Sequence, residues 1–185
     1  MKYLIRRTLA FLIDCIIGFG VAMLVSQWAI LAQFREQWGW DDAWLKDAWH
    51  MEAYVLLTIS LPVWLYFTFF DSKLSKGTFG KRLMGLKLVK TGGHGPSLGT
   101  NFLRTALKLA PWEIAHIGVI FPEPLYYMDD PQIRWTTWLG IAIMFIYFGS
   151  LFIRRRKKTV YDRWTGTAVK WKKFMTKPHS GKILN

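Results

Sequence analysis

The chain of 185 residues is 52% hydrophobic and 17% aromatic, yet it carries a formal net charge of +13. A water-soluble basic domain rarely combines these properties, and here the apolar residues fall in long blocks with the charges between them, which reads as a polytopic membrane protein. The single cysteine, Cys15, excludes a disulfide within the chain and reads as a buried, inert thiol.

Lys2, Arg6 and Arg7 precede the first predicted span, about 9–32, an apolar run that contains Asp14. A signal peptide is the rival for this start, but the run is too long, carries an aspartate and lacks a small-residue cleavage site. Arg6, Ala10, Asp14, Gly18, Ala22 and Ser26 recur every four residues. They form a slowly rotating small-residue seam suited to close helix packing, and Arg7 can share the face of Asp14. A charged aspartate near mid-helix costs about 2.5–3.5 kcal/mol. Asp14 is therefore expected to face other helices, a watery cavity or a cation, or to be protonated.

Residues 33–52 mix Trp38, Trp40, Trp44 and Trp49 with acids, which predicts a short interfacial helix or, alternatively, a partner-binding loop. The second span covers about 53–70 and contains Pro62. The stretch 76-KGTFGKRLMGLKLVKTGG-93 invites comparison with a phosphate-binding loop. Gly77 and Gly80 are too close for that motif, Arg82 replaces its hydroxyl, and a membrane span rather than a strand leads in. The segment reads instead as a turn, a short strand within 83–90 and a second turn. A second short strand within 166–173 is predicted to pair with it and to present lysines to anionic headgroups.

The third span, about 107–128, is interrupted by Glu113, His116, Pro111, Pro122 and Pro124; the fourth, about 135–153, is uninterrupted. With four spans, all of the 25 Lys and Arg except Arg35, Lys46 and Arg134 fall on one side, which predicts cytoplasmic N and C termini. That alternation is the main support for the third span. The expected fold class is an all-α polytopic membrane protein with four transmembrane helices, both termini cytoplasmic and a small cytoplasmic β element. Residues 175–185 are expected to be a flexible tail.

Glu113 and His116 form an E-x-x-H pair on one helix face. It is open to three readings: mutual hydrogen bonding, a proton relay or a metal site completed by other carboxylates. Lys108 and Arg104 lie more than one and more than two turns earlier and are expected to reach the membrane surface. No nucleophile–base arrangement is visible, so neither an enzyme nor a cofactor is expected. The run 154-RRRKK-158 follows the last span directly, which favours lipid headgroups over nucleic acid.

The segments 6-RRTLAFLID-14, 77-GTFGKRLMGLKLVKTGGHGPSLGTNFLRTAL-107 and 161-YDRWTGTAV-169 resemble the RDD family of bacterial membrane proteins, named for one arginine and two aspartates. The resemblance puts the arginine at Arg6 or Arg7 and the aspartates at Asp14 and Asp162. It implies a single RDD-type domain over 1–174 in the bacterial inner membrane. Transport is the suspected activity, with sodium/proton antiport proposed for some members. The fourth span and 111-PWEIAH-116 point to a four-span subgroup. The expected function is a transporter or transport component for a small cation or solute, with Asp14, Glu113 and His116 as titratable core. Arg7 (or Arg6) and Asp162 would form a cytoplasmic lock, and Arg104 belongs to the same polar set. Four spans are few to enclose a pathway, so a homo-oligomer in contact with anionic lipid is expected. The alternative is a non-transporting membrane scaffold or assembly factor.

Overall fold

The structure, a computed structural model, describes residues 2–35, 37–153 and 158–172. The expected tail at 175–185 and residues 154–157 of the basic run lie outside them. Helix α1 (Lys2–Val21) continues through π-helical turns at Ala22–Leu31 into the short α2 (Ala32–Phe34). After a loop come α3 (Asp42–Leu45) and α4 (Ala48–Val55), and α4 continues through π-helical turns at Leu56–Ser60 into α5 (Leu61–Phe70). The acids of the Trp-rich connection are helix caps. Asp41 accepts from the Trp44 N–H, and Asp47 accepts from those of Trp49 and His50, which satisfies donors a helix start would leave unpaired. The second span therefore begins at the Asp47 cap, earlier than the predicted 53, and the expected interfacial helix shrinks to the single turn α3.

Helix α6 (Phe79–Leu83) leads into β1 (Leu86–Lys90), α7 (Leu98–Ile120), α8 (Trp135–Ile153), α9 (Val160–Trp164) and β2 (Thr167–Trp171). Among the described residues three helices are long and apolar enough to cross a membrane: Lys2–Leu31, Ala48–Phe70 and Trp135–Phe152. The chain is a predominantly helical polytopic membrane protein with a small β element. Helix α7 is too polar to join that set, although its 23 residues give a length of about 35 Å. It starts at Leu98 rather than 107, because Ser97 caps the Thr100 N–H. It ends at Ile120, ahead of the prolines at 122 and 124.

The predicted strand pairing is present. β1 and β2 run antiparallel with Leu86 opposite Trp171, Leu88 opposite Val169 and Lys90 opposite Thr167. Leu86, Leu88 and Val169 pack with Ala10, flanked by Tyr3, Met84 and Trp171, so one face of the two-stranded sheet covers the start of α1. The Tyr3 hydroxyl donates to the Val169 carbonyl at 2.7 Å. A second cluster lies at the other end of the helices, where Ile120 packs with Leu45, Ala48, Met51, Val55 and Ile59. Helix α7 thus runs from the strand end to the Trp-rich end, and α8 returns beside it. Gly140 makes that return possible, because a Cβ there would lie 2.5 Å from the Pro111 carbonyl oxygen. Trp135, Phe145 and Ile146 on α8 are exposed, as a lipid-facing surface requires.

Candidate functional site

Buried charge is concentrated at the strand end. Of the expected seam on α1, Ala10, Asp14 and Gly18 are buried, together with Arg7 rather than Arg6. Arg7 and Arg6, which sequence left equivalent, take different positions. Arg7 pairs with Asp162 and donates to Thr159 Oγ1 at 3.4 Å. Arg6 caps the Met84 carbonyl at 3.1 Å and lies over the Trp171 ring.

Asp162 is fully buried and also accepts from Arg104 Nε and Nη2, each at 3.0 Å. Its position is set locally: in 159-TVYD-162 the Thr159 side chain and the Asp162 carboxylate cap each other's backbone N–H groups, a reciprocal capping box at the start of α9. Arg104 reaches on to Asp71 at 3.4 Å, and Asp71 holds Lys81 Nζ at 2.8 and 2.7 Å. Lys81 lies 3.8 Å from Asp14. The result is one alternating chain, Arg7–Asp162–Arg104–Asp71–Lys81–Asp14, joining α1, the end of α5, α6, α7 and α9. Burying an ion costs several kcal/mol, and each carboxylate here is offset by a cation together with further hydrogen bonds.

Asp14 is hydrogen-bonded throughout. Oδ2 accepts from Thr78 Oγ1 at 2.5 Å, and Oδ1 accepts from the Gly80 N–H at 2.7 Å and Tyr66 OH at 3.0 Å. The glycines of 76-KGTFGK-81 have their reason here. α6 approaches α1 so closely that a Cβ on Gly80 would lie 2.2 Å from the Ala10 carbonyl oxygen, and the bare backbone N–H can then reach the carboxylate.

Sequence reasoning missed Asp71 and Lys81. Both stand in a loop-like, charged stretch after a span, where a solvated reading comes first. It also placed Lys108 at the membrane surface, whereas Lys108 is buried, its Nζ 3.1 Å from the Phe67 ring centroid and 4.8 Å from that of Phe11. Ring faces attract a cation by about 2 kcal/mol when desolvated, less than the several kcal/mol that burying an ammonium costs. Among the described residues no carboxylate pairs with it.

Glu113 and His116 lie further along α7 and are not joined to each other. Glu113 Oε2 accepts from Ser60 at 3.1 Å and Oε1 from Trp64 Nε1 at 2.9 Å. His116 packs against Trp112, and its Nδ1 is buried without a hydrogen-bond partner, as is Glu52 Oε2. Ser60 ends the π-helical turns and Pro62 follows, so Glu113 faces the part of the second span where the backbone ladder is interrupted. Among the described residues no group of three or more His, Cys, Asp or Glu side chains is placed to hold a metal ion.

Asp71 and Asp162 lie outside the spanning helices. Burial alone would raise both carboxyls. Lys81 and Arg104 outweigh it at Asp71, Arg104 and Arg7 at Asp162, and both are held below the usual carboxylate range. A depressed carboxyl contributes stability that is complete above its unfolded value, about 3.9, and lost as pH falls through that value toward the folded one. Thermal unfolding in detergent is expected to be insensitive to these groups down to about pH 5 and to weaken progressively below it. A loss confined to the range above pH ~5 would contradict their assignment.

Residues 3–166 match the family model described as RDD family. No curated protein and no solved structure matches the chain.

Proposed function

This chain belongs to the RDD family, and on that premise we propose that it is a transport component of a bacterial inner membrane, exchanging a small cation against protons. The observation that carries this reading is Glu113, whose carboxylate is held, among the described residues, by two neutral donors on the second span, Ser60 and Trp64. Ionisable groups at membrane depth are costly and mark ion or proton pathways. The unpartnered polar atoms of Glu52 and His116 add further acceptor or donor capacity. Asp14 is a poorer ion acceptor, because its oxygens are already occupied by Thr78, Gly80 and Tyr66. Its role in this reading is structural, within a lock that closes the cytoplasmic end.

The fold is read with four crossings. Strands β1 and β2 pair, so they share one side of the membrane, yet α8, which has the length and apolarity of a span, lies between them. An even number of crossings is needed, and α7 supplies the other. Tyr3 and Arg7 bond to the same end, which supports an N-terminus on that side, and the excess of Lys and Arg supports reading that side as cytoplasmic. Homo-oligomerisation, lipid-headgroup contact and the absence of enzymatic activity complete the proposal.

The test is cation-driven proton flux in liposomes containing the purified protein, with sodium, potassium and lithium in turn. Flux above that of empty liposomes with at least one cation is the expected result. None with any of them would remove transport and favour the scaffold, a reading to which the saturated hydrogen bonding of Asp14 already lends weight.

A further inference from the structure

With Lys108 beside it, the lock holds four cations against three carboxylates, and the four cations face one cavity. Arg7, Lys81, Arg104 and Lys108 line a cavity of about 30 Å³, where Asp14 is the one carboxylate among the described residues on the wall. Asp14 is already engaged by Thr78, Gly80 and Tyr66. Asp71 and Asp162 bond Lys81, Arg104 and Arg7, and neither lines the cavity. That leaves Lys108, 8% exposed, with aromatic faces rather than a carboxylate against its ammonium. Ring faces attract the charge, but they accept the ammonium's hydrogen bonds weakly at best.

We propose that this cavity binds a monovalent anion of about chloride size, held by Lys108 with Arg104 and Arg7 as neighbours. A space of this volume exceeds the roughly 10–15 Å³ one water requires and suits a monatomic anion. The anion supplies the counter-charge that buried cations need, and it sits where α1, α6, α7 and the two-stranded sheet meet. Its role is to complete the lock, whether or not the protein moves a cation.

The test uses full-length protein in a neutral, phosphate-free detergent. Unfolding midpoints are compared in sodium chloride and sodium gluconate at equal ionic strength, for wild type and Lys108→Met. The expected result is a midpoint that rises with chloride and saturates in the wild type, and no chloride-dependent shift in the variant. An equal chloride response in both proteins, or none in the wild type, overturns the proposal. So does stabilisation by phosphatidylglycerol but not by chloride, which would assign the site to a lipid phosphate. If Lys108→Met does not fold, equilibrium dialysis of the wild type with radiolabelled chloride decides: one saturable ion per chain supports the site, and no saturable binding rejects it.

Discussion

Asp162→Asn is expected to destabilise the protein by about 3–5 kcal/mol, the usual consequence of breaking a buried ion pair on one side. Asp162 is the counter-charge for both Arg7 and Arg104, and all three side chains are buried. An asparagine keeps the shape and one carbonyl oxygen, so the α9 cap survives in part, but two guanidiniums lose their shared carboxylate. Asp14→Asn should cost less, about 1–3 kcal/mol. Its three hydrogen-bond donors are neutral, and its nearest cation, Lys81, is also bound by Asp71. Thermal unfolding of the two variants in the same detergent checks the order. Equal losses, or a greater loss for Asp14→Asn, would contradict the chain of charges described above.

Gly80→Ala is expected to cost about 3 kcal/mol, the upper part of the range for overpacking a close contact. The added methyl would meet backbone, the Ala10 carbonyl oxygen at 2.2 Å, and the Asp14 carboxyl carbon at 3.0 Å. The carbonyl is backbone, and the Asp14 side chain is held in place by hydrogen bonds from Tyr66, Thr78 and Gly80. α6 would have to move away from α1, lengthening the hydrogen bond from the Gly80 N–H to Asp14 as well. Gly99 supplies the control, since a Cβ there meets nothing within 4 Å. Gly99→Ala, in a helix, should be neutral or slightly stabilising. If the two alanine variants unfold together, the close approach of α6 to α1 is not a constraint on the fold.

The parts of the fold that follow from periodicity and charge were legible in the sequence. Long apolar runs located three spans, whereas the further crossing that charge alternation suggests through 107–128 belongs to the proposal. The strand pairing followed from two short β-prone segments expected on one side of the membrane. Boundaries were less visible, because they depend on single caps: Asp47 moves the second span forward, and Ser97 starts α7 early. In the site, the small-residue seam identified the buried face of α1. The choice of Arg7 over Arg6 depends on the partner, Asp162, more than 150 residues away. A signal for Asp162 existed in the Thr-x-x-Asp spacing of 159-TVYD-162, which is a capping-box pattern. Asp71 and Lys81 had none, since a charged loop after a span looks the same whether solvated or buried. Glu113 and His116 share the spacing of a pair, yet packing turns Glu113 to Ser60 and Trp64 and leaves His116 beside Trp112.

The division between a structural lock and a functional carboxylate is tested most directly by one comparison. Cation-driven proton flux would be measured in liposomes carrying equal amounts of folded wild type, Glu113→Gln and Asp14→Asn. The account predicts that Glu113→Gln falls to the level of empty liposomes while its unfolding midpoint stays near wild type. Asp14→Asn should instead lose stability but retain flux per folded molecule. Flux that persists in Glu113→Gln and disappears in folded Asp14→Asn would contradict the account and return the ion-coupling role to Asp14.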